Sequence, residues 1–114
     1  MPLALLLRCN DLDSTRRYYR DTLGFTVIDS LESTLTVQLE DCRIVFTPQD
    51  LWRSPVACSG TIYCAIAQVD QYYEQVKDRV DIAWPLQDMA YGSREFGIRD
   101  CNGYHIAFAQ LLAA

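Results

Sequence analysis

A single histidine in 114 residues excludes any metal site built from two histidines of one chain. Basic residues are few and unclustered: 10 Lys and Arg against 15 Asp and Glu give a formal net charge of −5. The chain therefore lacks the electrostatic footprint that attracts phosphate backbones or anionic membrane surfaces, and neither nucleic acid nor membrane is expected as a partner. The charge keeps the chain soluble, and a partner that responds to it would be cationic. Long apolar runs are also missing. Pro2 to Leu7 is too short to span a bilayer, has no basic region before it, and runs into Arg8-Cys9-Asn10-Asp11 without a small-residue cleavage site, so it reads as a strand. There is no Gly-rich phosphate loop, no GxSxG elbow and no HExxH. The five cysteines (Cys9, Cys42, Cys58, Cys64, Cys101) are odd in number and show no CxxC spacing. They point to thiols in a reducing cytoplasm rather than to a disulfide framework or a zinc cluster. Cys9 and Cys64 are expected to face the helices as small core residues, and Cys101 sits in a turn with nothing in sequence to supply a base.

What is present is a repeated plan in a chain long enough to bury about two-thirds of its unfolded surface. Leu3 to Cys9 is followed by Asp11-Leu12-Asp13 and a helix holding Tyr18-Tyr19; Gly60 to Ile66 is followed by Gln68-Val69-Asp70 and a helix holding Tyr72-Tyr73. Aligning Leu12-Asp13 with Val69-Asp70 gives an offset of half the chain. In the first copy Asp13 is the expected N-cap and Gly24 the stop. Strands follow at Phe25 to Asp29, Thr34 to Glu40, with apolar residues at alternate positions, and Arg43 to Thr47. Pro48 to Ser59 is the linker. The second copy has a strand from Thr61 to Ala67, a helix from Val69 to Arg79, a short strand near Ile82 to Trp84 and a closing hairpin. That hairpin is signalled by Asn102-Gly103 between the alternating runs Ser93 to Arg99 and Tyr104 to Gln110. The expected architecture is α+β: two tandem βαβββ modules, 1–47 and 60–114, in one domain of residues 1–114, with a cupped, mostly antiparallel sheet and helices on its outer face. The paired tyrosines lie at helical spacing and read as packing residues.

The closing stretch also resembles a known family. Tyr91-Gly92, Arg94-Glu95-Phe96, Asp100-x-Asn102-Gly103-Tyr104 and the final apolar strand are similar to the C-terminal signature of the vicinal oxygen chelate superfamily, which holds glyoxalase I, extradiol dioxygenases and bleomycin-resistance binding proteins. The resemblance implies that the two modules form a cup for the ligand. In enzymes of that group a divalent metal is held there by His, Gln or Glu on the first and last strands of each module. Carried over by motif spacing, those places fall on Ala4, Val45, Thr61 and Ala107. Three of these have no donor, and a lone Thr hydroxyl is a poor ligand for such metals. No metal and no cofactor is therefore expected.

Candidate ligand-binding residues follow from parity along the strands and from chemistry. His105 shares a strand face with Ala107 and is the one candidate for metal-free acid–base work, against its plainer role as a rim residue. Arg8 suits a ligand carboxylate, or is neutralised by Glu40 or Glu95; Gln38, Glu40 and Glu95 suit a cation, or are solvated rim groups. Trp52, Tyr63, Trp84 and Tyr91 are rings that grip planar or cationic groups, though Trp52 also fits a dimer contact and Trp84 a core position. The functional expectation is a metal-free binding protein, a homodimer resembling the bleomycin-resistance type, that sequesters an aromatic or cationic small molecule without transforming it. The competing class is an enzyme: a glyoxalase-like lyase or dioxygenase with displaced ligands, or a catalyst using His105.

Overall fold

In the computed structural model, which describes residues 4–29, 34–53, 57 and 60–111, one order of elements occurs twice. The first run is β1 (Ala4–Arg8), α1 (Leu12–Arg17), β2 (Thr26–Asp29), β3 (Leu35–Leu39) and β4 (Cys42–Thr47). The second is β5 (Thr61–Ala65), α2 (Val69–Val76), β6 (Asp81–Asp88), β7 (Ser93–Arg99) and β8 (His105–Leu111). The runs lie in two compact units, Met1–Ala57 and Cys58–Ala114. Each unit has a four-stranded mixed sheet, ordered β1-β4-β3-β2 and β5-β8-β7-β6, with its first strand parallel to its last. The tandem α+β architecture is thus as expected, and the repeat extends to register: Ala4 pairs with Arg43 as Thr61 pairs with His105.

In the first unit, period-two alternation puts Leu35, Val37, Ile44 and Phe46 on one fully buried face. Burying each such side chain is worth about 1.5–3 kcal/mol. The helix over that face starts at Asp11, whose carboxylate accepts from the Ser14 backbone N–H at 3.0 Å. Asp13, the expected cap, instead stands in the first turn. Past Arg17 the helix widens into a π turn, Tyr18–Thr22, where the Leu23 N–H reaches back to the Tyr18 carbonyl at 3.1 Å. Tyr19 is left wholly buried, with its ring centroid 5.1 Å from those of both Phe25 and Phe46. Gly24, at φ +77°, supplies the left-handed stop.

In the second unit, Cys64, Phe96, Ile98, Ile106 and Phe108 form the buried face. Val69, Tyr72 and Val76 of α2 pack there, with Tyr72 4.9 Å from Phe108 and Tyr73 4.9 Å from Phe96, so these tyrosines are packing residues. α2 ends at Val76 rather than Arg79, because the Arg79 N–H closes a tighter turn onto the Val76 carbonyl at 2.9 Å. β6 is longer than expected and contains Pro85. It is tolerated because β6 is an edge strand and its pairing with β7 shifts register on both sides of Trp84. The closing hairpin is as expected, with Gly103 at φ +89°. The Asp100 carboxylate supports it, accepting from the backbone N–H groups of Asn102 and Tyr104 at 2.9 and 2.8 Å.

Two further expectations change. Glu40 belongs to no strand face: it sits in the β3–β4 turn at φ +51°, exposed. Cys42 and Cys64 each carry a disulfide bond, which corrects the reading of all five cysteines as thiols. Sequence spacing carried no sign of this, because bonding depends on which residues the fold brings together. Cys9 and Cys101 carry thiols, buried and exposed respectively; Cys58 and linker residues 54–56 and 59 lie outside the described residues. Among the described residues no helix is long and apolar enough to cross a membrane.

Candidate functional site

The second sheet has one face turned to α2 and one turned away. Pairing sets a row across the latter: Tyr63 opposite Ala107, Ala107 opposite Gly97, Gly97 opposite Trp84. Ala107 and Gly97 form a low floor between two large rings. Gly97 is required there. A Cβ on it would strike Cδ2, Cε2 and Cζ2 of Trp84 almost equally, so the indole lies flat over the Gly97 backbone.

Glu95 stands two residues before Gly97 on the same strand face and is wholly buried. Three neutral donors converge on it. The Tyr91 hydroxyl donates to Oε1 at 2.6 Å, the Ser93 hydroxyl to Oε1 at 2.9 Å, and Trp84 Nε1 to Oε2 at 3.3 Å. None of the ion pairs among the described residues includes Glu95. The adjacent Arg94 is directed to the other face, where it pairs with Asp88 at 2.7 Å and Asp70 at 3.1 Å. Buried carboxylates ordinarily need a cation or several hydrogen bonds, and Glu95 has only the latter. Tyr91 is bonded to Glu95 and also to Tyr63, and these contacts, Glu95 first, push its phenol pKa above the ordinary 10.0. Both phenols remain open to solvent, Tyr63 at 59% and Tyr91 at 62% exposure. The result is an aromatic rim hydrogen-bonded to one buried carboxylate.

Four expected ligand-binding residues, Tyr63, Trp84, Tyr91 and Glu95, are therefore brought together in one unit. His105 is on the same face but one row along, between Thr61 and Arg99. The others belong to the first unit and do not cluster in this way. Arg8 pairs with Asp50 at 3.6 Å. Gln38 accepts from Arg43 Nη2 at 3.2 Å and donates to the Glu40 carbonyl at 3.0 Å. Trp52 is 47% exposed. Ser93 and Gly97 are the site residues that sequence reasoning missed. Both share the parity of Glu95, and a glycine inside an alternating strand was the available signal.

The metal positions implied by the resemblance do not provide a donor set. Ala4 pairs with Arg43, Val45 with Leu6, Thr61 with His105 and Ala107 with Tyr63. Among these eight side chains the one good donor for a borderline metal is the His105 imidazole. Among the described residues no three or more His, Cys, Asp or Glu lie together as a metal-holding group.

Comparison with known proteins agrees with this architecture. The sequence model described as the Glyoxalase/Bleomycin resistance protein/Dioxygenase superfamily matches residues 3–108. Among solved structures, TioX from Micromonospora sp. ML1 superposes with TM-score 0.80 at 18% identity, over 98% of this chain and 99% of that one. A glyoxalase/bleomycin resistance protein/dioxygenase from Alicyclobacillus acidocaldarius gives 0.79 at 17% identity, over 99% and 92%. A member of the same superfamily from Sphaerobacter thermophilus gives 0.77 at 19%, over 96% of each chain. Identities this low speak for the fold alone. No curated protein matches the sequence.

Proposed function

The chain belongs to the Glyoxalase/Bleomycin resistance protein/Dioxygenase superfamily, and on that premise we propose that it is a metal-free binding protein that sequesters an aromatic or cationic small molecule without transforming it. The observation that carries this reading is the fully buried Glu95, ringed by Tyr91, Trp84 and Ser93 on the sheet face away from α2. A flat indole and two exposed phenols offer stacking area at low entropic cost. The four family positions offer no donor set through which a metal would polarise a substrate oxygen.

The test uses the purified full chain carrying Trp52→Phe, so that emission reports Trp84. Aromatic and cationic compounds are titrated in the presence of a chelator. Saturable quenching at one ligand per chain, with every compound recovered unchanged, is the expected result. No saturable quenching, or binding and turnover that require added nickel, zinc, manganese or ferrous iron, would overturn the reading.

A further inference from the structure

Resting on the binding reading above, we infer that the site selects a tertiary or quaternary organic ammonium, and that Glu95 confers this preference from behind the rings rather than by direct contact. Glu95 has no exposed surface, so a ligand arriving at the rim meets Trp84, Tyr91 and Tyr63 before the carboxylate. A cation over an aromatic face is attracted by the ring quadrupole. Here two rings are more than hydrocarbon faces. The Tyr91 hydroxyl and the Trp84 indole N–H both donate to Glu95, and hydrogen bonds in a chain polarise one another, raising electron density in the donor rings. The carboxylate also lies in a dehydrated position, outside every ion pair among the described residues, where its field is weakly screened.

A ligand whose charge is dispersed over alkyl groups suits this arrangement better than one with exposed N–H donors. Oε1 already accepts from the Tyr91 and Ser93 hydroxyls, and Oε2 is shielded by the indole. A quaternary ammonium needs no acceptor and a tertiary one only a single acceptor, and both lose little hydration on reaching the rings. A primary ammonium or guanidinium would bring three or more N–H donors to a rim whose phenol oxygens are already engaged in hydrogen bonds. A carboxylate-bearing ligand would be repelled by Glu95.

The experiment compares choline with dimethylbutanol, its uncharged carbon isostere, by calorimetric titration of the full chain. Choline is expected to bind about tenfold tighter. In Glu95→Gln, which keeps the size and a carbonyl acceptor, the ratio of the two affinities is expected to fall to about twofold or less. Tyr91→Phe keeps the ring, removes the bond to Glu95 at an exposed position, and is expected to lose part of the preference even if Glu95→Gln fails to fold. Equal binding of both probes by the unmodified chain, or a preference unchanged in both variants, would overturn the inference while leaving a binding site in place. Binding of neither probe, together with no quenching by aromatic compounds, would overturn the binding reading itself.

Discussion

At the scale of single residues, the site depends on one absent side chain and one carboxylate. Gly97 leaves room for the Trp84 ring, and any Cβ there displaces it. Gly97→Ala is expected to cost about 2 kcal/mol by overpacking. It should also shift Trp84 emission in a Trp52→Phe background, because the indole leaves Glu95; unchanged emission and an unchanged melting temperature would contradict the packing argument. Glu95 serves as the common acceptor for Tyr91, Ser93 and Trp84. Replacing it with Ala strands the buried Ser93 hydroxyl and the indole N–H, at a cost of about 2 kcal/mol. Glu95→Gln retains an acceptor and should lose clearly less, as read from paired denaturant melts. Tyr63, Trp84, Tyr91 and Glu95 were legible in the sequence as residue types suited to a ligand. Their convergence was not, because Trp84 reaches the row through a register shift in β6 that alternation does not reveal.

At the scale of elements, the two copies reach the same plan with different local chemistry. α1 is capped from within by Asp11, whereas Gln68 at the head of α2 makes no such side-chain bond. The α2 start is instead held from β8, where Gln110 Oε1 accepts the Val69 N–H at 3.0 Å. Gln110→Ala is therefore expected to cost about 1 kcal/mol and to speed amide exchange in the first turn of α2. Equal exchange in both proteins would show that this bond does not hold the helix end. The two tyrosine pairs diverge as well. Tyr18 and Tyr19 sit in a π turn that seats Tyr19 against Phe25 and Phe46, while Tyr72 and Tyr73 stay α-helical over Phe96 and Phe108. Helical spacing marked both pairs as packing residues, yet one extra residue per turn leaves no trace in apolar periodicity.

At the scale of the whole molecule, charge sets the response to acid. Asp11, Asp21 and Asp88 are held below the ordinary carboxyl value of 3.8 by the Ser14 backbone N–H, Arg20 and Arg94, respectively. A depressed folded pKa contributes stability above the unfolded value, and that contribution is lost as pH falls through the folded one. The melting temperature is therefore expected to hold down to about pH 5 and to fall below about pH 4. Each of these groups is exposed, so each share is small and screened by salt. Asp88→Asn should make the acid limb shallower, and an identical limb would remove Asp88 from the account. The homodimer that the family resemblance implies makes its own prediction: sedimentation equilibrium should give twice the 13.0 kDa chain mass, and a mass of one chain would exclude it.

By itself the sequence determined the element order and the repeat. Both are local properties: alternation marks strands, helical spacing marks α1 and α2, and Gly24 and Asn102-Gly103 mark stop and turn, and each is repeated or bounded within a few residues. It also determined that Ala4, Val45, Thr61 and Ala107 bring no ligand set, since that is a matter of side-chain chemistry. Tertiary structure alone decided that Glu95 is buried beneath three donors, that Gly97 is the seat of an indole, and that Gln110 caps a helix 41 residues away in sequence. These depend on register between distant strands. A shift of one residue exchanges the two faces of a strand, and alternation within that strand cannot fix the partner it will meet.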